Sequence, residues 1–236
     1  MNNTSINNKH ELNKTRLVEI IGPAGAGKTT LFNMLKEYKD KFFLSNFPNV
    51  RSILNFPFFL YFGLQLIPIL FRLNKATKLQ LSRQEFVWMT ILYGWPIAIR
   101  KDINRRSQVI VLDQGPVYLM AELMEFGPSI LRAEGSELFW QVLYRRWALT
   151  LNRIVWLDTT DINLLERIRT RDKAHILKNE SDSNAYDLLA RYRKAFDYII
   201  SKLESNSSEL QILRFDTSKL QPDEIVDCLF SELRFS

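Results

Sequence analysis

The chain has 236 residues, 46% hydrophobic and 25% charged, a balance that supports a packed α/β domain and excludes general disorder and fibrous repeats. Lys and Arg number 32 against 26 Asp and Glu, a formal net charge of +6, which suits phosphate-bearing small molecules, an anionic membrane or nucleic acid without choosing among them. One cysteine, Cys228, and two histidines, His10 and His175, exclude a disulfide framework and a Cys- or His-based metal cluster, and point to a reducing, cytoplasmic compartment.

Residues 1–15 are rich in Asn, Thr, Ser and Lys and lack an apolar run. They are expected to form a flexible tail rather than a signal peptide. Leu17 to Ile21 is then a short apolar run ending in Gly22, the signature of a buried strand. Runs of the same kind recur at Gln108–Asp113, Arg153–Asp158 and Leu210–Asp216, with a fifth strand expected near Phe42–Leu44. Helix-like stretches follow at 28–39, 118–126, 162–171 and 222–233. Continuous apolar strands alternating with helices predict an α/β domain over 16–236, with a doubly wound, mostly parallel five-stranded sheet. Residues 50–107 form a helical, apolar elaboration on its acceptor side.

Gly22-Pro23-Ala24-Gly25-Ala26-Gly27-Lys28-Thr29 matches G-x-x-x-x-G-K-[ST] at every fixed position, between a strand and a helix. The pattern is that of a phosphate-binding loop. Residues 22–30, including Thr30, would surround phosphate oxygens at a helix N-terminus, each but Pro23 with a backbone N–H to donate. Lys28 would reach the β- and γ-phosphates of ATP, and Thr29 would offer its hydroxyl to Mg²⁺. Asp113 ends a buried strand, where a carboxylate can serve the same metal or take an acceptor proton.

Arg167, Arg169 and Arg171 crowd the end of a helix, with Arg167 and Arg171 four residues apart. Such repulsion is relieved by an anion, so 165–185 is expected to be a lid over the transferring phosphate. Glu85 is expected to be an early-helix acid, and His175 a lid-surface residue. The cations at 100, 101, 105, 106, 145 and 146 are expected to be exposed basic turns.

Residues 52–71 contain no charge and lie between Arg51 and Arg72. Pro57 and Pro68 are expected to break the stretch into a helical pair that forms core or lines an apolar pocket. Docking on a membrane surface is the second reading, and spanning the third.

Taken together, these pieces resemble the thymidylate-kinase-like branch of the P-loop nucleoside and nucleotide kinases. The resemblance rests on the phosphate loop, Leu112-Asp113-Gln114, and the run from Ile154 through Leu165-Glu166-Arg167 to Arg171. It continues through Ala190–Phe196 and Phe215-Asp216-Thr217-Ser218. It implies ATP, Mg²⁺ and phosphoryl transfer to a small acceptor, with Arg167 and Arg171 over the nucleotide and Thr217-Ser218 beside adenine. Gln114 stands where that branch has an Arg holding the acceptor's phosphate, which favours a non-nucleotide, lipophilic acceptor. The alternative is an ATP-binding switch or membrane-associated module with little kinase activity. Sequence-specific nucleic acid is not expected; membrane-surface contact through 52–71 and a homodimer both remain open.

Overall fold

A computed structural model describes residues 17–74, 81–106 and 108–233; the tail expected over 1–15 lies outside them. The strands are β1 (Leu17–Ile21), β2 (Phe42–Ser45), β3 (Val109–Asp113), β4 (Arg153–Asp158) and β5 (Gln211–Asp216). They form one five-stranded sheet of order β2-β3-β1-β4-β5, parallel at every pairing. Parallel neighbours need crossovers, and helices supply them. These are α1 (Lys28–Leu35), α2 (Phe56–Asn74), α3 (Arg83–Ile103), α4 (Pro116–Phe126), α5 (Glu137–Ala148), α6 (Asp161–Thr170) and α7 (Asp182–Glu204), with α8 (Pro222–Leu233) after β5.

The pleat divides each strand between two cores. Leu17 and Ile21 of β1, Ile110 and Leu112 of β3, and Ile154 and Trp156 of β4 face helices α2 to α5 and α7. Val18, Ile20, Val109, Val111, Val155 and Leu157 face α1, α6 and α8 on the other side. Burial on both faces is why these strands lack polar alternation in the sequence.

Local chemistry explains the helices around the long β2–β3 connection. Ser82 and Glu85 form a capping box at the start of α3: Glu85 N–H donates to Ser82 Oγ at 3.2 Å, and Ser82 N–H donates to Glu85 Oε2 at 2.7 Å. Pro96 lies inside α3 and has no N–H for the Leu92 carbonyl. Trp147 of α5 fills that gap, its indole Nε1 donating to Leu92 O at 2.9 Å. Arg146 donates to the next carbonyl, Tyr93 O, and lies over the Tyr93 ring. A proline that would weaken an isolated helix thus becomes the joint between α3 and α5.

The expected break in 52–71 does not occur: α2 runs as one helix from Phe56 to Asn74. Pro57 is its second residue, where no intrahelical N–H is required. Pro68 is on the exposed face with Leu64, where water can reach the carbonyl that the missing N–H leaves free. The opposite face packs on α3, with Phe62 seated so closely that a Cβ on Gly94 would come within 2.3 Å of its ring.

Candidate active site

The strand order leaves β1 between β3 and β4, and at the carboxyl ends of such strands an open parallel sheet forms its binding crevice. Gly22 leaves β1 with φ of 147°, and a Cβ there would lie 2.1 Å from the Leu157 carbonyl oxygen. Gly25 and Gly27 also have positive φ, and Gly27 opens α1 with no side chain capping it. Uncapped amides at a helix N-terminus form a site for an anion.

Lys28 folds back over this loop, its Nζ donating to Gly22 O at 2.7 Å and Pro23 O at 2.9 Å. Burial lowers its pKa to about 8; the Arg171 and Lys173 charges push the same way, while Asp113 and Asp158 oppose them. An incoming polyphosphate would supply the negative charge this ammonium lacks.

The loop, from Gly22 through Pro23, Ala24, Ala26, Thr29 and Thr30, forms one wall of a cleft of about 640 Å³. Arg167, Arg171, Lys173 and His175 line the same cleft, as do Gln114, Tyr118, Tyr192 and Thr217. Arg167 donates from Nη1 to Thr217 Oγ1 and from Nη2 to Thr217 O, each at 2.9 Å. It also reaches Gly25 O at 3.5 Å, so one guanidinium ties α6, the loop after β5 and the phosphate loop together.

The other lid arginines diverge. Arg171 lies just beyond the end of α6, and its Nε is buried with no hydrogen-bond partner among the described residues. Arg169 turns to the start of α7, where it donates to Asp182 Oδ1 at 2.8 Å and Glu180 O at 3.0 Å. It is absent from the cleft wall, because adjacent odd positions on a helix cannot all share one face. Ser218 also stays off the wall, its N–H and Oγ both donating to Asp216 Oδ1. Residues 52–71 contribute nothing to the cleft. His175 accepts from Leu177 N–H at 3.2 Å, and burial with the Arg171, Lys28 and Lys173 charges lowers its pKa.

Asp113 is half-buried at the end of β3, and its Oδ1 is buried without a partner among the described residues. Burial raises its pKa, with Lys28, Lys173 and Lys36 opposing. An orphaned carboxylate oxygen beside the cleft, with the Thr29 hydroxyl on the cleft wall, is a donor set that fits Mg²⁺. Among the described residues no group of three or more His, Cys, Asp or Glu could hold a metal without help. Oxygens of a bound triphosphate would complete the coordination.

Two structural residues escape a reading of the sequence. Glu19 of β1 is fully buried and accepts from the N–H groups of Val117 at 2.9 Å and Tyr118 at 3.1 Å. It therefore caps α4 from the strand beneath it. Gly115 makes this approach feasible, since a Cβ there would lie 2.7 Å from the Glu19 carboxyl carbon. Arg193 of α7 grips Asp158 through two hydrogen bonds, of 2.7 and 2.9 Å, and also pairs with Asp161. Its pKa is raised, first by the Asp158 bond. That clamp fixes the start of α6, and through it the lid arginines.

This arrangement has relatives among solved structures. A thymidylate kinase from Candida albicans superposes with a TM-score of 0.53 at 15% identity, over 94% of this chain and 92% of that one. The fold is that of a P-loop nucleotide kinase. The YorR protein of Bacillus subtilis, in complex with phosphorylated GDP, gives a TM-score of 0.49 at 15% identity over 92% of this chain and 95% of that one. Deoxyadenosine kinase from M. mycoides with bound dATP gives 0.49 at 13% identity over 93% and 100%. No protein-family model matches the sequence. No curated protein matches it either. The glycine loop, Gln114, Arg167 and Arg171 line one cleft of this fold.

Proposed function

We propose that this protein is an ATP-dependent kinase that transfers the γ-phosphoryl group to a hydroxyl or phosphate of a small, non-nucleotide acceptor. One observation supports the reading: Lys28 of an uncapped glycine loop lines a single cleft together with Arg167, Arg171 and Lys173. Phosphoryl transfer needs chiefly positioning and compensation of charge on the phosphoryl oxygens, and these cations would supply it.

In this reading the loop amides and Lys28 hold the triphosphate, and Arg167 keeps the lid helix against it through Thr217. Arg171, whose Nε has no partner among the described residues, meets the oxygens of the transferring group. Thr29 and Asp113 are the residues that would hold Mg²⁺, which when bound offsets charge on the phosphate oxygens. The acceptor oxygen attacks the γ-phosphorus, the bond to the β,γ-bridging oxygen breaks, and ADP leaves. Where Asp113 does not ligate the metal, it takes the proton of a hydroxyl acceptor, and its raised pKa makes it a better base than an ordinary aspartate.

Gln114, on the cleft wall with φ of 56°, gives the acceptor side an amide where an arginine would favour a phosphorylated nucleotide. Residues 52–71 lie away from the cleft, so they do not supply a lining for a lipophilic acceptor.

The test is label transfer from γ-labelled ATP to pools of small hydroxylated metabolites, sugar phosphates and lipid extracts, using the full chain. Label should pass to a stable small product, and Arg171→Ala should slow that transfer by about 10²–10³-fold. Binding of ATP with no label leaving it, or leaving only to water, would overturn the kinase reading in favour of a nucleotide-binding switch.

A further inference from the structure

The outer face of α2 has no role in the cleft and no partner among the described residues. Ile53 and Leu54 in the short 3₁₀ turn before it are 88% and 90% exposed, and Phe56 and Phe71 are 63% and 67% exposed. Leu60, Tyr61, Leu64 and Ile67 continue the same surface, with Pro57 and Pro68 also exposed. At 100° per residue the exposed positions fill one broad arc of the helix, and every one before Arg72 is apolar or a tyrosine. Exposing such a continuous patch to water is costly for a soluble monomer.

We propose that this face docks in the plane of an anionic lipid bilayer. The charge pattern selects that occupant. Between Asp40 and Glu85 the sequence contains Lys41, Arg51, Arg72, Lys75, Lys78 and Arg83, and no acidic residue. Arg51 and Arg72 are exposed at the two ends of the apolar arc, with Arg83 exposed at the start of α3. Cations flanking an apolar, aromatic-rich helical face are the composition of an interfacial helix, which inserts its apolar side shallowly while the basic residues meet lipid phosphates. A second copy of the chain would bring the same cationic flanks together with no carboxylates to offset them.

Ile53–Arg72 is long and apolar enough to span a bilayer by composition. Its inner face, however, is packed on α3 through Phe62, Leu66 and Leu70. A spanning helix would have to give up that contact and pull its neighbours from the core. Lying on the membrane leaves the contact intact.

Flotation with phosphatidylcholine vesicles, with and without phosphatidylglycerol, tests the assignment on the full chain. Wild-type protein should float with the anionic vesicles, and high salt should weaken the binding. Leu60→Asp combined with Leu64→Asp should lower the partition coefficient at least ~10-fold, since it places two carboxylates in the docking face. Phe71→Asp, at the other end of the helix, serves as an independent variant should the first pair fail to fold; melting curves report that directly. Arg51→Gln with Arg72→Gln should reduce binding to anionic vesicles only. Absence of flotation by wild-type protein overturns the proposal, as does binding unchanged in both folded aspartate variants. A dimer in sedimentation velocity that dissociates in these variants, with no vesicle binding, would assign the face to a second copy. Because none of these residues touches the cleft, failure here leaves the kinase reading standing.

Discussion

Arg167 holds Thr217 from both terminal nitrogens, at 2.9 Å to the hydroxyl and 2.9 Å to the carbonyl. The contact joins α6 to the loop after β5 and so braces that edge of the cleft. Thr217→Val removes the hydroxyl partner and keeps the shape. Amide exchange across 165–185 should then quicken several-fold, in line with loss of a charge-assisted bond of about 1.5–3 kcal/mol shared with a surviving one. Unchanged exchange would mean that the lid is held elsewhere.

In the proposed reaction Arg171 would act when charge spreads over the transferring group. Arg171→Ala should lower kcat by about 10²–10³ and leave the KM for ATP within a few-fold. Steady-state kinetics with the acceptor found by label transfer decides this; a loss confined to KM would make Arg171 a ground-state contact.

Asp113→Asn removes the carboxylate whose Oδ1 is unpartnered among the described residues. Turnover should fall at least ~10²-fold, while nucleotide binding without Mg²⁺ stays near the wild-type value. Calorimetry with and without the metal separates the two effects, and full activity in the variant would reduce Asp113 to a strand-end residue.

Glu19 gives a pH signature. Desolvation pushes its carboxyl from 4.5 up to about 8, against the N–H donors of Val117, Tyr118 and Gly115. Between those two pH values the folded chain binds a proton that the unfolded chain has released. The stabilisation is therefore full below about pH 4.5 and is lost as pH rises through about 8. Glu19→Gln removes that dependence. Urea midpoints measured across this range should fall more steeply for wild type than for the variant; parallel slopes would contradict the assignment.

The centre of the sheet was legible because β1, β3 and β4 are buried on both faces and so appear as nearly continuous apolar runs. The glycine loop was legible because its spacing is a local constraint. What escaped was non-local. Glu19 looks like one stray acid until Val117, 98 residues away, donates to it. Arg193 sits in a basic stretch of α7 and declares its clamp only when Asp158 and Asp161 are brought beside it. Arg169 and Arg171 look equivalent in sequence, yet the helix end between them sends one to Asp182 and the other to the cleft. Pro68 suggested a broken helix because the sequence does not disclose that its face is exposed.

The proposed kinase activity requires that the glycine loop and Lys28 hold a nucleoside triphosphate. Isothermal calorimetry of a non-hydrolysable ATP analogue with wild type and Lys28→Ala measures it directly. Lys28 contacts the loop carbonyls at 2.7 and 2.9 Å and would exchange them for phosphate oxygens. Its loss should weaken binding about 10–100-fold, the value of one or two charge-assisted hydrogen bonds, with the melting temperature of the free protein little changed. Equal affinities in the two proteins would contradict the account.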